Sequence, residues 1–176
     1  MRLLRLFLAV MTLFSSLLVS ACGGDSPRSL TAYSLSLKKE FPAVKTLSTA
    51  DLAARSDSPI LLDVRSEEEF AVSHIPRALR AEEDAAEQLH QLGVRDDQMV
   101  VVYCSVGYRS AKLAQELTAA GFRKVRNLEG SIFAWTNEGR PLVNSHGAAE
   151  GTHPFNRVWG RYLKKSKWRW TPEPAN

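Results

Sequence analysis

Short uninterrupted apolar runs alternate along this chain with longer stretches in which apolar residues recur every three to four positions. Ile60 to Val64 and Met99 to Tyr103 are runs of the first kind, rich in branched side chains as strands buried on both faces of a parallel sheet are. Val44 to Leu47 and Lys124 to Asn127 read as shorter strands. Between them lie helical segments: Ser48 or Thr49 caps one to about Arg55, and Ser66 with Glu69 fits a capping box opening another through Ala71. Glu82 to Leu92 is a helix ended by Gly93, and Ser131 to Asn137 is a short one, with Pro141 to Val143 closing the series. Met99 to Gly121 reads as strand, loop and helix, with Ala111, Leu113, Ala114, Leu117 and Ala120 on one face and Gly121 at a left-handed cap. Such alternation requires right-handed crossovers and an α/β fold with a mainly parallel sheet.

The two ends do not follow this pattern. Arg2 and Arg5 precede an apolar stretch from Leu6 to Val19, as in a signal peptide. Val19-Ser20-Ala21-Cys22 resembles the lipobox of bacterial lipoproteins, which implies residues 1–21 as a cleaved signal and lipidation at Cys22. Gly23-Gly24 then resembles the pattern that directs lipoproteins to the outer membrane of two-membrane bacteria. The expected location is therefore the cell envelope, lipid-anchored, on the periplasmic face of the outer membrane if the source has two membranes. Residues 22–42 read as lipidated cysteine and tether of low order, although Tyr33, Leu35, Leu37 and Phe41 allow a docked strand or short helix.

Charge sharpens the division. The 176 residues carry a net +4, but residues 22–151 hold 15 basic and 18 acidic side chains, while residues 152–176 hold six basic and one acidic. The positive charge thus belongs largely to the segment 146–176. There Phe155, Trp159 and Tyr162 fall at helical spacing and Trp168 and Trp170 alternate with Lys167 and Arg169. Basic aromatic sequence suits an anionic membrane interface, reinforcing a single lipid anchor; an apolar stripe packed on the domain with a solvated basic face accounts for it equally well. An exported protein makes a nucleic-acid partner improbable.

Candidate chemistry concentrates at Cys104, directly after the central strand. A strand-to-helix loop gathers unpaired backbone N–H groups around whatever sits within it. Ser105, Val106, Gly107 and Tyr108 form that loop, Gly107 admitting a positive φ so that amides turn inward, with Arg109 and Ser110 at the helix start. A free thiol of pKa ~8.5 is only about 3% ionised at pH 7, and a helix terminus supplies at most ~2 kcal/mol toward lowering it. Amide donors and Arg109 must supply the rest, which predicts a nucleophilic Cys104.

CSVGYRS after an apolar strand resembles the active-site loop of the rhodanese family of sulfurtransferases. Pro59 to Leu79 is similar to that family's LLDVR, acidic helix and HIPGA segment, and Val125 to Val143 to its closing L-x-GG-x-x-AW segment. The resemblance implies a single doubly wound domain over residues 43–145, in which Cys104 takes a sulfane sulfur, holds it as a persulfide and passes it on. Ser73 and Arg77 stand where the family often has glycines, and Glu129-Gly130-Ser131 replaces a commoner double glycine. These departures lie outside the cysteine loop and bear on substrate shape more than on chemistry.

The resemblance places Arg65 near the loop, as a candidate anion contact or a salt-bridge partner, and Asp63 in structural hydrogen bonding. Glu67, Glu68 and Glu69 are accounted for by the dipole of a first helical turn. His74 reads as a turn residue and Trp135 as core, and the four histidines have no metal-ligand spacing, so neither metal nor cofactor is expected. The expected partners are a small sulfur donor and a thiol or cyanide acceptor, with a protein partner open. Because the loop carries little positive charge besides Arg109, thiosulfate is expected to be a poor donor. Alternatives are a non-turnover sulfur carrier or docking module, and phosphatase or arsenate reductase chemistry, against which the four residues between Cys104 and Arg109 argue.

Overall fold

The computed structural model describes residues 29–174; Cys22 and the signal segment, on which the anchoring expectation rests, lie outside the described residues. Helix α1 (Leu30–Glu40) is followed by β1 (Thr46–Leu47), α2 (Thr49–Ala54), β2 (Ile60–Asp63), α3 (Glu67–Val72), β3 (Leu79–Arg80) and α4 (Ala85–Gln91). Then come β4 (Met99–Tyr103), α5 (Tyr108–Ala119), β5 (Lys124–Leu128), α6 (Ser131–Asn137) and the hairpin β6 (Leu142–Asn144) and β7 (Gly147–Ala149).

Five strands pair in parallel in the order β1-β5-β4-β2-β3, which puts β4 at the centre. Alternate residues of its run face opposite layers. Val100 and Val102 join Leu62, Leu89, Leu113, Leu117 and Phe122 on one face; Val101 and Tyr103 join Leu61, Ile75, Ile132, Phe133 and Trp135 on the other. Burial on both sides is why β4 needs a continuous apolar sequence. Brought to the C-terminal edge of the central strand, Cys104 occupies the place where open α/β sheets bind ligands.

Three expectations are corrected. The tether is not structureless over its second half, because Leu30, Tyr33, Leu37 and Phe41 share one helical face and Ser29 caps α1 by accepting the Ala32 N–H at 3.1 Å. Leu37 and Phe41 are buried against Ala111. The C-terminal segment does not begin at residue 146, since β7 pairs with β6 across the intervening turn. Nor does it form an α-helix on its aromatic spacing: two 3₁₀ turns form, at Trp159–Tyr162 and Lys165–Lys167, and Trp159, Tyr162 and Trp168 pack against the core cluster that holds Val106 and Phe133. Gly160 permits this, as a Cβ there would lie 2.6 Å from the Trp168 ring. Trp159, Tyr162 and Trp168 thus follow the apolar-stripe account, while Phe155 and Trp170 stay exposed.

Candidate active site

Cys104 opens a loop whose backbone is held from behind by α6. The Ile132 and Phe133 N–H groups donate to the Cys104 and Ser105 carbonyls, both at 3.1 Å, and the Cys104 N–H donates to Ser131 Oγ at 3.1 Å. With its carbonyls taken up on that side, the loop presents amides inward. Gly107, at φ 113°, makes the turn into α5 and donates its N–H to Cys104 Sγ at 3.2 Å. Asn127 fixes the turn by donating Nδ2–H to the Gly107 carbonyl at 2.9 Å. Its Oδ1 then faces the Ser110 hydroxyl at 2.7 Å, and that hydroxyl also lies 3.6 Å from Sγ. One hydroxyl proton has both acceptors within reach.

Glu69 is the residue sequence reasoning passed over. Its capping-box role is present, with the Ser66 N–H donating to Oε2 at 3.1 Å. The same carboxylate accepts two hydrogen bonds from Arg109, Nη1 to Oε2 at 2.9 Å and Nη2 to Oε1 at 3.0 Å, and one from Ser105 Oγ at 3.1 Å. Arg109 Nη2 also donates to Ser105 Oγ at 3.1 Å. The first turn of α3 is thus bound to the loop through a buried carboxylate, a link for which the helix dipole gave no reason. Its one sequence signal was an acidic residue on the helix that follows the strand beside β4.

Burial pushes the Cys104 thiol up, but the nearby Arg109 guanidinium, the Ser110 N–H and hydroxyl and the Gly107 N–H outweigh it, and its pKa falls below the ordinary thiol value. Glu69 is likewise pushed up by burial and more than offset by Arg109, ending below the usual carboxylate range. Whenever Cys104 is ionised, its thiolate, the Arg109 guanidinium and the Glu69 carboxylate together carry one net negative charge.

Arg65 is not an anion contact. Its side chain and that of Asp63 are wholly buried; Nε and Nη2 donate to Asp63 at 2.9 and 2.6 Å, Nη2 donates to the Ser73 carbonyl at 2.6 Å and Nη1 to Thr152 Oγ1 at 3.1 Å. Its donors are committed to structure, which is the salt-bridge alternative and fits the role expected of Asp63. His74 is also a turn residue, its Nδ1 3.1 Å from the Phe70 carbonyl, and Trp135 is core, its Nε1–H donating to the Pro141 carbonyl at 2.7 Å.

The departures from the family's glycines are of two kinds. Arg77 and Ser131 stand at φ 67° and 51°, in the left-handed region where glycine is favoured. Ser73 is extended at φ −174°, which any residue adopts. Ser131 also bears directly on the loop, because its hydroxyl receives the Cys104 amide.

Residues 48–138 match the family described as the Rhodanese-like domain. Over 99 residues the chain is 33% identical to a sulfurtransferase of Allochromatium vinosum, covering 53% of this chain and 87% of that protein. Over 102 residues it is 34% identical to the putative sulfurtransferase YtwF of Bacillus subtilis, covering 56% and 96%. Among solved structures, a thiosulfate sulfurtransferase from Pseudomonas aeruginosa superposes with a TM-score of 0.55 over 78% of this chain and 26% of that one, at 21% identity, a likeness of fold.

Proposed function

The chain belongs to the rhodanese-like family, as a single-domain sulfurtransferase, and on that premise we propose that Cys104 carries the transferred sulfur as a persulfide. The Cys104 thiolate attacks the sulfane sulfur of a donor; the new S–S bond forms as the donor's own bond to that sulfur breaks, and the donor's remainder leaves with the electron pair. For thiosulfate the leaving group is sulfite, and for an organic persulfide it is a thiolate. A thiolate or cyanide acceptor then attacks the outer sulfur and Cys104 departs as thiolate. The observation that carries this reading is the Gly107 N–H at 3.2 Å from Sγ inside a loop flanked by Arg109, since the donors that stabilise a thiolate also stabilise a persulfide anion. Ser105, Val106, Tyr108 and Ser110 complete the loop as its frame.

The full-length chain in detergent, treated with thiosulfate or with a small organic persulfide and read by intact mass, is expected to gain one sulfur that cyanide removes. Prior alkylation of Cys104 should prevent the gain. Absence of any sulfur adduct from either donor, on a thiol that alkylates readily at pH 7, would refute the persulfide cycle.

We extend the proposal to location: Cys22 is lipidated and tethers the domain to the envelope. The Val19-Ser20-Ala21-Cys22 sequence supports this. An alkyne fatty acid supplied to expressing cells is expected to label the protein and to leave Cys22→Ser unlabelled; equal labelling of both would dispose of the anchor.

A further inference from the structure

Cys104 is only 1% exposed, and two segments outside residues 48–138 add to what packs around its loop. On one side lies α1. Leu37 Cδ1 stands 3.1 Å from where a Cβ on Gly107 would be, and the Phe41 ring meets Tyr108 edge-on at 5.5 Å. One turn earlier in α1, Tyr33 meets both Trp159 and Tyr162 at 5.5 Å, so the helix and the C-terminal segment join over the site.

From the other side, Thr152 is fastened to buried Arg65, and three residues later the Phe155 ring lies over the Arg109 guanidinium at 5.0 Å. Phe155 takes φ 63°, a conformation that a bulky residue holds only under constraint from its surroundings. The constraint does not serve to bury it: the side chain stays 43% exposed. An aromatic face is therefore displayed to solvent directly above the cation of the cysteine loop. Tyr33 supports the same geometry. Burial first, then the charge on Cys104, pushes its hydroxyl up to about 12, so it remains a neutral group within the field of the sulfur.

We propose that Phe155 lines the donor entrance and selects sulfur donors that carry one negative charge on an apolar, preferentially aromatic, body. This rests on the persulfide reading above. The charge argument comes from Glu69: both its oxygens are already bonded to Arg109, so a dianion would enter a site whose one net charge, that of the thiolate, is negative. A monoanion meets half that repulsion, and an attached ring gains contact with Phe155.

Three donors separate these effects: thiosulfate, methanethiosulfonate and benzenethiosulfonate. With the last, Cys104 thiolate attacks the terminal sulfur, the S–S bond forms, and the S–SO₂ bond breaks with its electrons leaving on benzenesulfinate; total charge is conserved. Persulfide formation on the full-length chain, followed by mass, is expected to be fastest with benzenethiosulfonate and slowest with thiosulfate. Phe155→Ala should lower the benzene-to-methane rate ratio about fivefold, the worth of one aromatic contact, and Phe155→Leu should lower it less. Because the ratio is internal to each preparation, partial misfolding does not imitate the result. Equal rates for the three donors, or a ratio untouched by Phe155→Ala, would overturn the entrance while leaving the persulfide cycle intact. No persulfide from any donor would overturn both.

Discussion

Asp63→Ala is expected to destabilise the domain by about 3–5 kcal/mol, the cost of stranding a buried charge, and to lower Tm by roughly 10 °C or more. The magnitude follows from what remains. Burial disfavours the charged guanidinium of Arg65, while Asp63 more than compensates and holds its pKa above the ordinary arginine value. Without Asp63 that compensation is gone, yet an arginine guanidinium does not deprotonate in a protein, so Arg65 is left charged and buried with the Ser73 carbonyl and Thr152 Oγ1 as its remaining acceptors. The damage extends beyond β2, because Thr152 is one of the points at which the C-terminal segment is tied to the sheet. Arg65→Leu combined with Asp63→Leu should recover much of the loss, since an apolar pair of similar volume carries no desolvation cost. Thermal melts of the single and double variants check this; a single substitution that shifts Tm by under about 3 °C would mean that water reaches the guanidinium.

The parts of the fold that were legible in the sequence are those whose cause is local. β4 declared itself through five apolar residues buried on both faces, α3 through a capping box, and α5 through its apolar face and Gly121, which does adopt φ 107°. Cys104 and Gly107 were legible for the same reason, since loop, glycine and helix start are consecutive. What was hidden depends on meetings between distant segments. Glu69 reaches Arg109 across 40 residues, and the capping box that singles it out from its two neighbours accounts for its carboxylate without pointing to a partner on the cysteine loop. α1 could have been read from Leu30, Tyr33, Leu37 and Phe41, but a segment following Gly, Ser and Pro resembles a tether until a surface exists to receive it. Trp159 and Tyr162 were spaced as in a helix and lie instead in a 3₁₀ turn, with Trp168 in an isolated bridge to Thr152, because these three rings pack individually on the domain.

Arg109→Gln is expected to slow sulfur uptake at pH 7 by 10-fold to 100-fold, in the range set by losing charge-assisted hydrogen bonds and raising the thiol pKa. Two charges change roles at once. The guanidinium that lowers the Cys104 pKa is lost, and Glu69, until then neutralised by it, is left as a buried carboxylate beside a thiolate. Both effects disfavour ionisation of Cys104, so the pH profile of its alkylation by iodoacetamide should move to higher pH. Glu69 responds in the opposite sense to acid in the native protein. With its pKa depressed on folding, its contribution to stability is fully present above the unfolded carboxylate pKa and is lost as pH falls through the lower folded value. In the variant that acid sensitivity should weaken, because the ion pair no longer exists. Adding Glu69→Gln to Arg109→Gln removes the stranded carboxylate and is expected to return part of the alkylation rate, making the double variant faster than the single one. Alkylation rates from pH 5 to pH 9 on the native chain and the two variants decide the matter. A double variant no faster than Arg109→Gln alone would show that Glu69 acts on the loop by holding its shape, with its charge contributing nothing to the thiol.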